Sequence, residues 1–354
     1  MTARVLVTGA GTGPAENLIT SLRAGYRKLF VAGCHADRFE LRDSAADAKY
    51  LIPPSHHRDY VRALRGVAER EAISVLVPTS DAEVWRLAHA RRAFGRRVFL
   101  PRASVVALCQ DKYALTKLLL ARGVAAPLTY RVRRLADVSV QFRRLAASGG
   151  VWCRIRFGHG GLGSLLVETP AQARAWIAYW MRMRGVRAGS FTLSEYLPGR
   201  DFSCQSLWRE GTLVLTKTFE RLAPFGVSVG ASSVAALMKT VNEPGVAAVC
   251  AAAIRAVDGH ASGVYCFDVR ENARGMPCVT EINAGRFSMS TNLYDLVGQH
   301  NMASTYLRLA LGERSNVRDE YDAAEGYYMV RSLDTSARIF HADAFAEGIE
   351  DARP

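Results

Sequence analysis

Three oxygen-bearing side chains in the second half of the chain have the types and spacing to hold a divalent metal ion. Glu281 and Asn283 are two residues apart in a run that predicts a strand, so their side chains point to one face. Asp268 lies in the preceding strand-like run, and a turn near Gly275 would bring it alongside Glu281. Two carboxylates and an amide oxygen suit Mg²⁺ bridged to phosphates. A solvated polar strand face would carry the same residues, so the hairpin alone leaves both interpretations open.

A glycine-rich loop at 158–164 could approach phosphate oxygens with its backbone N–H groups, because glycine has no side chain in the way. The flanking runs, 151–156 and 165–168, predict strands. The order is therefore strand, loop, strand, whereas the phosphate loop of Walker-type NTPases leads into a helix and carries Gly-Lys-Ser/Thr. A flexible hairpin loop is predicted.

A second glycine-rich turn, Gly9-Ala-Gly11-Thr-Gly13, resembles a dinucleotide fingerprint. Its third glycine comes one residue early, and Pro14 follows it. The acidic residue expected about 20 residues later is replaced by Gly-Cys-His, with Asp37 slightly late. This turn predicts either a nicotinamide-nucleotide site or a tight turn that packs a helix on a sheet, and the second interpretation is favoured.

The elements around these motifs fall into two classes. Short apolar runs alternate with helical patterns in the first 105 residues, which predicts a parallel sheet covered on both faces. The strand candidates there are 4–8, 29–33, 74–78 and 97–101, with a helix at 60–71. From residue 190 the chain becomes rich in strands. Strands are predicted at 191–197, 202–208, 213–219, 263–270, 278–283 and 326–331, and helices at 243–258 and 302–311.

Composition excludes several classes of protein. The 354 residues are 49% hydrophobic and 22% charged, as in a globular protein of two or three domains. No window reaches about 18 consecutive apolar residues, which excludes a spanning helix, and residues 1–20 show no charged-then-apolar leader. A cytoplasmic location is predicted from the cysteines. Seven cysteines without a CxxC pair indicate buried thiols. The net charge of +13 is weak support for nucleic-acid binding, since 40 of 46 basic residues are arginines spread along the chain.

The order of the motifs resembles the ATP-grasp superfamily, most closely its branch similar to the carbamoyl phosphate synthetase large subunit. The motifs are, in order, 111–112, 154–156 with the loop 158–164, 195–201, Asp268 and 281–286. The resemblance covers nearly the whole chain and implies a Rossmann-like α/β domain before a two-lobed ATP-grasp domain. The implied divisions are 1–105 for the first domain, 106–189 for the small lobe, 190–315 for the large lobe and 316–354 for a C-terminal strand and tail.

The resemblance implies an ATP site. Lys112 and Arg154 would contact the phosphates, 158–164 would form the lid, 195–197 would pair with adenine, and Asp201 would bind the ribose. The implied ATP-binding residues are Lys112, Arg154, Gly158, His159, Gly160, Gly161, Gly163, Ser164, Glu195, Tyr196, Leu197 and Asp201. His159 would be a polar lid residue rather than a phosphohistidine.

The resemblance also implies the catalytic metal site. Asp268, Glu281 and Asn283 match the ligands of two Mg²⁺ ions, for which Mn²⁺ is an alternative, and Glu281 would bridge the two. Arg286 and Arg154 match catalytic arginines, with Arg286 steadying the transferred phosphoryl group and the tetrahedral intermediate. The usual motif runs Glu-Ile-Asn-Pro-Arg, whereas this chain has Ala-Gly between Asn283 and Arg286. The added residue leaves the aim of the Arg286 guanidinium open.

The segment 219–236 lies where the family places residues over the acceptor substrate. Arg221, Ser228 and Ser232, together with Arg286, are therefore candidates for substrate binding, with a mobile loop as the alternative. The implied partners are a small-molecule carboxylate and an amine, with no nucleic acid and no membrane, and a homodimer is expected.

The predicted function is that of an ATP-dependent carboxylate–amine ligase. The carboxylate would become an acyl phosphate, and the amine would displace phosphate to give an amide, ADP and phosphate. The main alternative is an ATP-grasp kinase that makes a phosphorylated product without an amide. A nicotinamide-nucleotide enzyme and a basic nucleic-acid-binding protein are the remaining alternatives.

Overall fold

The structure is a computed structural model. It describes residues 2–145, 149–158, 161–224, 235–315, 317, 320–331 and 338–344, with only the backbone described at 338–340. Three β-sheets organise these residues.

The first sheet is parallel and is formed by the first quarter of the chain. Its strands are β1 (Ala3–Thr8), β2 (Leu29–His35), β3 (Ala48–Leu51) and β4 (Val75–Val77). The helices of this region are α1 (Gly13–Gly25), α2 (Arg38–Asp43), α3 (Tyr60–Arg70), α4 (Asp81–His89) and α5 (Arg91–Phe94). The strand order is β3-β2-β1-β4. Both faces are buried, since Val5 and Val7 pack with α1 while Leu6, between them, packs with α3. The predicted parallel sheet is confirmed.

The predicted strand at 97–101 is wrong. Residues 95–97 form a short 3₁₀ turn, and the chain after it is extended but pairs with no described strand. Side chains rather than a neighbouring strand satisfy its carbonyl groups. The Tyr306 hydroxyl donates to the Phe99 carbonyl at 2.8 Å, and Arg91 donates to the carbonyls of Leu100 and Pro101. The buried residues therefore alternate as in a strand without forming one.

The second sheet is antiparallel and is covered by two helices. The elements from residue 103 are α6 (Ala103–Gln110), α7 (Lys112–Ala121), β5 (Thr129–Arg131), α8 (Val138–Leu145), β6 (Val151–Ile155), β7 (Leu165–Val167), α9 (Pro170–Arg184) and β8 (Phe191–Glu195). The strand order is β5-β8-β6-β7. Helices α8 and α9 pack on one face through a core that includes Phe142, Ile177 and Phe191. The hairpin of β6 and β7, which carries the glycine-rich loop, is confirmed.

The third sheet is antiparallel and has seven described strands. Its elements are β9 (Asp201–Arg209), β10 (Thr212–Pro224), β11 (Ala235–Thr240), α10 (Pro244–Val257), β12 (Gly263–Glu271), β13 (Pro277–Ala284), α11 (Thr291–Val297), α12 (Met302–Ala310), β14 (Tyr327–Val330) and β15 (Arg338–His341). The strand order is β13-β12-β9-β10-β11-β14-β15. Strand β15 had no counterpart in the sequence prediction.

The third sheet is the structural centre of the chain because helices cover both of its faces. Helices α6, α7 and α10 bury Trp208 and Phe267 on one face. On the other face, Leu207 and Leu215 pack into a core that they share with α12, α1 and strand β1. Helix α12 thus joins the first sheet to the third, which fixes the N-terminal region against the large sheet. No described helix is long and apolar enough to cross a membrane.

Candidate active site

A cleft of about 510 Å³ lies between the second and third sheets. The described residues that the sequence predicted for the site and that line the cleft are Lys112, Arg154, Gly158, Gly161, Ser164, Glu195, Tyr196, Leu197, Asp201, Arg221, Asp268, Glu281, Asn283 and Arg286. Gly163 does not line it. His159, Gly160, Ser228 and Ser232 lie outside the described residues.

The β12–β13 hairpin brings the predicted metal ligands together on one face. Asp268 is paired directly with Glu281 in the antiparallel register, as the sequence predicted. Asn283 is two residues beyond Glu281 on the same strand, so its side chain shares the face. Cross-strand partners have Cβ atoms about 5 Å apart, which is close enough for two carboxylates to share a ligand.

Two cations contact Glu281, Lys112 from helix α7 and Arg154 from strand β6. The Lys112 Nζ lies 3.4 Å from the Glu281 Oε2, and an Arg154 Nη lies 3.9 Å from the same oxygen. The pKa of Glu281 is raised above its usual value, and burial is the main cause. Lys112 and Arg154 lower this pKa, whereas Asp268 raises it. Arg154 also donates to the carbonyl of Thr280 at 2.9 Å, which anchors its guanidinium to β13. The Glu281 carboxylate therefore lies beside two cationic side chains of the kind that bind polyphosphate oxygens.

Lys112 faces the cleft because the N-terminus of helix α7 is hydrogen-bonded to Arg156, the residue that follows β6. Asp111 caps the helix by accepting from the backbone N–H of Ala114, and it forms a bidentate salt bridge with Arg156. The backbone N–H of Lys112 donates to the carbonyl of Arg156. Its Nζ donates to the carbonyl of Gly158, the first residue of the glycine-rich loop. One side chain therefore connects the loop to Glu281.

Arg221 joins the predicted ribose carboxylate to the predicted metal carboxylate. One guanidinium nitrogen lies 2.9 Å from Asp201, and the other forms a salt bridge with Asp268. Burial lowers the pKa of Arg221, but Asp268 and Asp201 outweigh this and raise it. The sequence had placed Arg221 only among candidate substrate-binding residues. The guanidinium engages one oxygen of Asp268, so a cation at that carboxylate would bind the other oxygen or displace Arg221.

The Ala284-Gly285 pair before Arg286 lets this part of β13 and the turn after it pack closely against helix α4 of the N-terminal region. Gly285 has φ +92°, and a Cβ there would lie 2.9 Å from the Val84 side chain on α4. The Arg286 guanidinium then meets Asp81 at the first turn of α4, with an Nε–Oδ1 distance of 2.6 Å. Arg286 still lines the cleft. Sequence reasoning missed Asp81, which lies 205 residues away and belongs to no recognised motif.

Apolar side chains form the wall of the cleft beside the glycine-rich loop. They are Trp152, Ile155, Leu162 and Leu166, of which Trp152 and Leu166 are directly paired between β6 and β7. Alternation along β6 places Trp152 on the same face as Arg154, with Leu166 opposite it on β7, so that signal could have identified this part of the wall, whereas Ile155 and Leu162 follow no such period. Pro127, Tyr196 and Leu197 also line the cleft, and apolar surface of this kind suits a flat aromatic ring.

The donor set suits magnesium. Two carboxylates and one amide oxygen are hard ligands, and Mg²⁺ is usually held by one or two carboxylates together with waters and substrate phosphates. Among the described residues, no group of three His, Cys, Asp or Glu side chains could hold a metal ion. The described residues of the hairpin would therefore coordinate a phosphate-bound cation only in part and do not form a complete metal site.

Comparison with solved structures identifies the fold. The L-amino acid ligase from Bacillus licheniformis matches at TM-score 0.70 and 14% identity, covering 93% of this chain and 79% of that one. The biotin carboxylase domain of the Hydrogenobacter thermophilus 2-oxoglutarate carboxylase, bound to MgADP and bicarbonate, matches at TM-score 0.71 and 13% identity, covering 93% and 74%. Carboxyaminoimidazole ribonucleotide synthase from Aspergillus clavatus, bound to ATP, matches at TM-score 0.69 and 14% identity, covering 93% and 81%.

No protein-family model and no curated protein matches the sequence. The structural similarity extends over nearly the whole chain, so it includes the N-terminal parallel sheet as well as the two lobes. It confirms the predicted fold class, a Rossmann-like domain followed by a two-lobed α+β domain.

Proposed function

We propose that this chain, whose fold is that of the ATP-grasp enzymes, is an ADP-forming ligase that joins a carboxylate to an amine. The observation that carries the proposal is the cleft between the second and third sheets. It gathers two cations, a glycine-rich loop and a carboxylate pair, together with an apolar wall beside the loop. Structures with this fold include an L-amino acid ligase, a biotin carboxylase domain bound to MgADP and a ribonucleotide synthase bound to ATP.

ATP would lie along the cleft with its adenine near 195–197 and its phosphates near the hairpin. Lys112 and Arg154 are placed to contact the phosphates, since both already bind the oxygens of Glu281 or a nearby carbonyl. Asp201 would accept from the ribose hydroxyls once Arg221 releases it. Nucleotide binding would thus replace ion pairs within the protein with charge-assisted contacts to the ligand.

Asp268, Glu281 and Asn283 would hold Mg²⁺, with two ions expected and Mn²⁺ as a substitute. The bound cation would neutralise the γ-phosphate and hold it in line for transfer. The chain's own contribution is positioning. Arg286 is anchored by Asp81, so its guanidinium is preorganised towards the end of the cleft where charge develops on the transferred group.

The reaction has two steps. An oxygen of the substrate carboxylate attacks the γ-phosphorus, the bond to the β–γ bridging oxygen breaks, and ADP leaves. The amine nitrogen then attacks the acyl carbon, phosphate leaves with the bonding electrons, and the nitrogen loses a proton to form the amide. Holding the reactants in line and neutralising their charge suffices for both steps.

We also propose the division of the chain at 105, 189 and 315, a homodimer and a cytoplasmic location. Limited proteolysis, light scattering and cell fractionation test these three properties.

The experiment that tests the function measures ADP and phosphate release from Mg²⁺·ATP with pooled small carboxylates and amines. A ligase releases both products only when a carboxylate and an amine are present together. ADP with the carboxylate alone, and no phosphate, would identify a kinase instead. Absence of both turnover and an ATP-dependent rise in melting temperature would overturn the nucleotide site.

A further inference from the structure

A second, smaller cavity of about 70 Å³ opens beside the inner end of the main cleft. The two cavities share residues of the proposed metal and phosphoryl-transfer site, including Asp268, Asn283 and Arg286. At roughly 10–15 Å³ for each water-sized group, the smaller cavity has room for about five to seven such groups. It is the size of a small organic acid.

Three guanidinium groups line the small cavity, and two of them are neutralised by the protein. Arg221 is paired with Asp201 and Asp268, and Arg286 is paired with Asp81. Arg331 has no acidic partner among the described residues. Its guanidinium donates to the Ser290 hydroxyl at 2.7 Å. A partly buried cation without a counter-charge is costly, which favours an anionic ligand.

Arg331 is held in place by the sheet and does not reach in from a free loop. It follows β14 directly, and its backbone N–H donates to the Ala236 carbonyl of the neighbouring strand at 2.8 Å. Burial lowers the pKa of Arg331. The rest of the wall is apolar at Phe219 and Met238 and hydroxylic at Ser203 and Ser288, which is typical of a small-molecule site.

The position of Arg331 separates its role from that of Arg286. Arg286 lines both cavities, whereas Arg331 lines only the smaller one. A carboxylate that receives the γ-phosphate must lie where the cavities meet. An anion bound to Arg331 would therefore occupy the smaller cavity and not the main cleft.

We propose that the substrate activated here is a small carboxylic acid with a second anionic group, a carboxylate or a phosphate, and that Arg331 binds this second group. The inference rests on the proposed function and names its substrate class. A dicarboxylic acid of about four or five carbons, with or without an amino group, has about five to seven non-hydrogen atoms beyond the activated carboxylate, which matches the room in the smaller cavity.

The test compares acids with their neutral isosteres: aspartate with asparagine, glutamate with glutamine, and succinate with succinamate. O-phosphoserine and serine form the phosphate arm. Binding is measured calorimetrically with Mg²⁺ and a non-hydrolysable ATP analogue, so no turnover is needed. We expect at least one anionic member to bind about 10- to 100-fold more tightly than its partner, as the loss of charged hydrogen bonds predicts.

Arg331→Gln should abolish that preference by weakening only the anionic member, and Arg331→Lys should restore part of it. Arg96→Gln, which changes an exposed arginine of the N-terminal region, is the matched control and should change nothing. Equal binding of the paired ligands to the wild-type protein, or equal weakening of both by Arg331→Gln, would overturn the proposal. The comparison of anionic and neutral ligands on the wild-type protein tests the proposal even if Arg331→Gln fails to fold.

Failure of the proposed function is distinguishable from failure of this inference. Anion binding that depends on Arg331 without ADP release in the presence of amines would leave the pocket assigned and overturn the ligase. ADP release with monocarboxylates alone, unaffected by Arg331→Gln, would support the ATP-dependent activity and overturn the dianionic substrate.

Discussion

The molecule contains two glycine-rich turns, and their surroundings differ. At Gly11 the backbone N–H donates to the Glu16 carboxylate at 2.8 Å, and a Cβ would lie 1.7 Å from the Glu40 carbonyl oxygen. The turn is therefore filled by its own chain and surrounded by acceptor oxygens. At Gly158 the neighbours are the Lys112 ammonium, which donates to its carbonyl, and the open cleft.

The difference shows that glycine spacing lets other groups come close to the backbone but does not determine whether a ligand or the protein itself occupies that space. Oxygens already occupy the first turn, which leaves little room for a pyrophosphate and repels its charge. Asp37, the candidate for a ribose contact, instead caps α2 by accepting from the backbone N–H of Phe39 and Glu40. The N-terminal turn thus favours packing over nucleotide binding, and the cationic surroundings of the second turn favour phosphate.

Removal of a carboxylate near each turn should have the largest effect and should affect the two turns differently. Glu281→Ala should lower ADP release at least about 100-fold, because a metal ligand is worth more than the outer-shell partners that cost 10–100-fold. Glu16→Ala is the matched control and should leave the KM for ATP unchanged. Both variants should still unfold cooperatively on heating.

Unchanged ADP release by Glu281→Ala would contradict the proposed metal site. Loss of ATP binding in Glu16→Ala would instead give the N-terminal turn a nucleotide role.

Removal of the cation next to the second turn should have the next largest effect. Lys112→Met deletes a donor to Gly158 and to Glu281, and we expect the KM for ATP to rise about 10- to 100-fold, as for a lost charge-assisted contact. Lys49→Met, at an exposed lysine of β3, is the control. Steady-state kinetics of the two variants measure the difference, and equal KM values would contradict the phosphate role.

Two glycines of the first turn separate packing from binding. Gly11 has φ +96° and no room for a Cβ, so Gly11→Ala should lower the free energy of unfolding by about 2 kcal/mol or more. Gly13 begins α1, and a Cβ added there would meet no atom within 4 Å. Gly13→Ala should therefore be neutral or stabilising by up to about 1 kcal/mol.

Urea unfolding measures both effects, and neither variant should change the KM for ATP. A raised KM in Gly11→Ala without loss of stability would contradict the packing interpretation.

How much of the site the sequence predicts depends on how local the determining pattern is. The pairing of Asp268 with Glu281 follows from the two-residue period of strands and one turn, and it is confirmed. The strand at 97–101 failed because Arg91 and Tyr306 satisfy its carbonyls, and tertiary contacts of that kind leave no mark on the local pattern. The same limit hid Arg331, which follows β14 and lines the smaller cavity.

Asp81 is the contribution of the N-terminal region to the site, and it comes from α4 instead of the glycine turn. Its carboxylate holds the Arg286 guanidinium through a salt bridge, so Asp81→Asn should let that guanidinium move while leaving it in the site. We expect kcat to fall about 3- to 10-fold with the KM for ATP unchanged, because only charge developing in the transition state is affected. Asp81→Glu should recover part of the rate. A rise in the KM for ATP at constant kcat would mean that Arg286 serves ATP binding, and the N-terminal region would then contribute to nucleotide affinity after all.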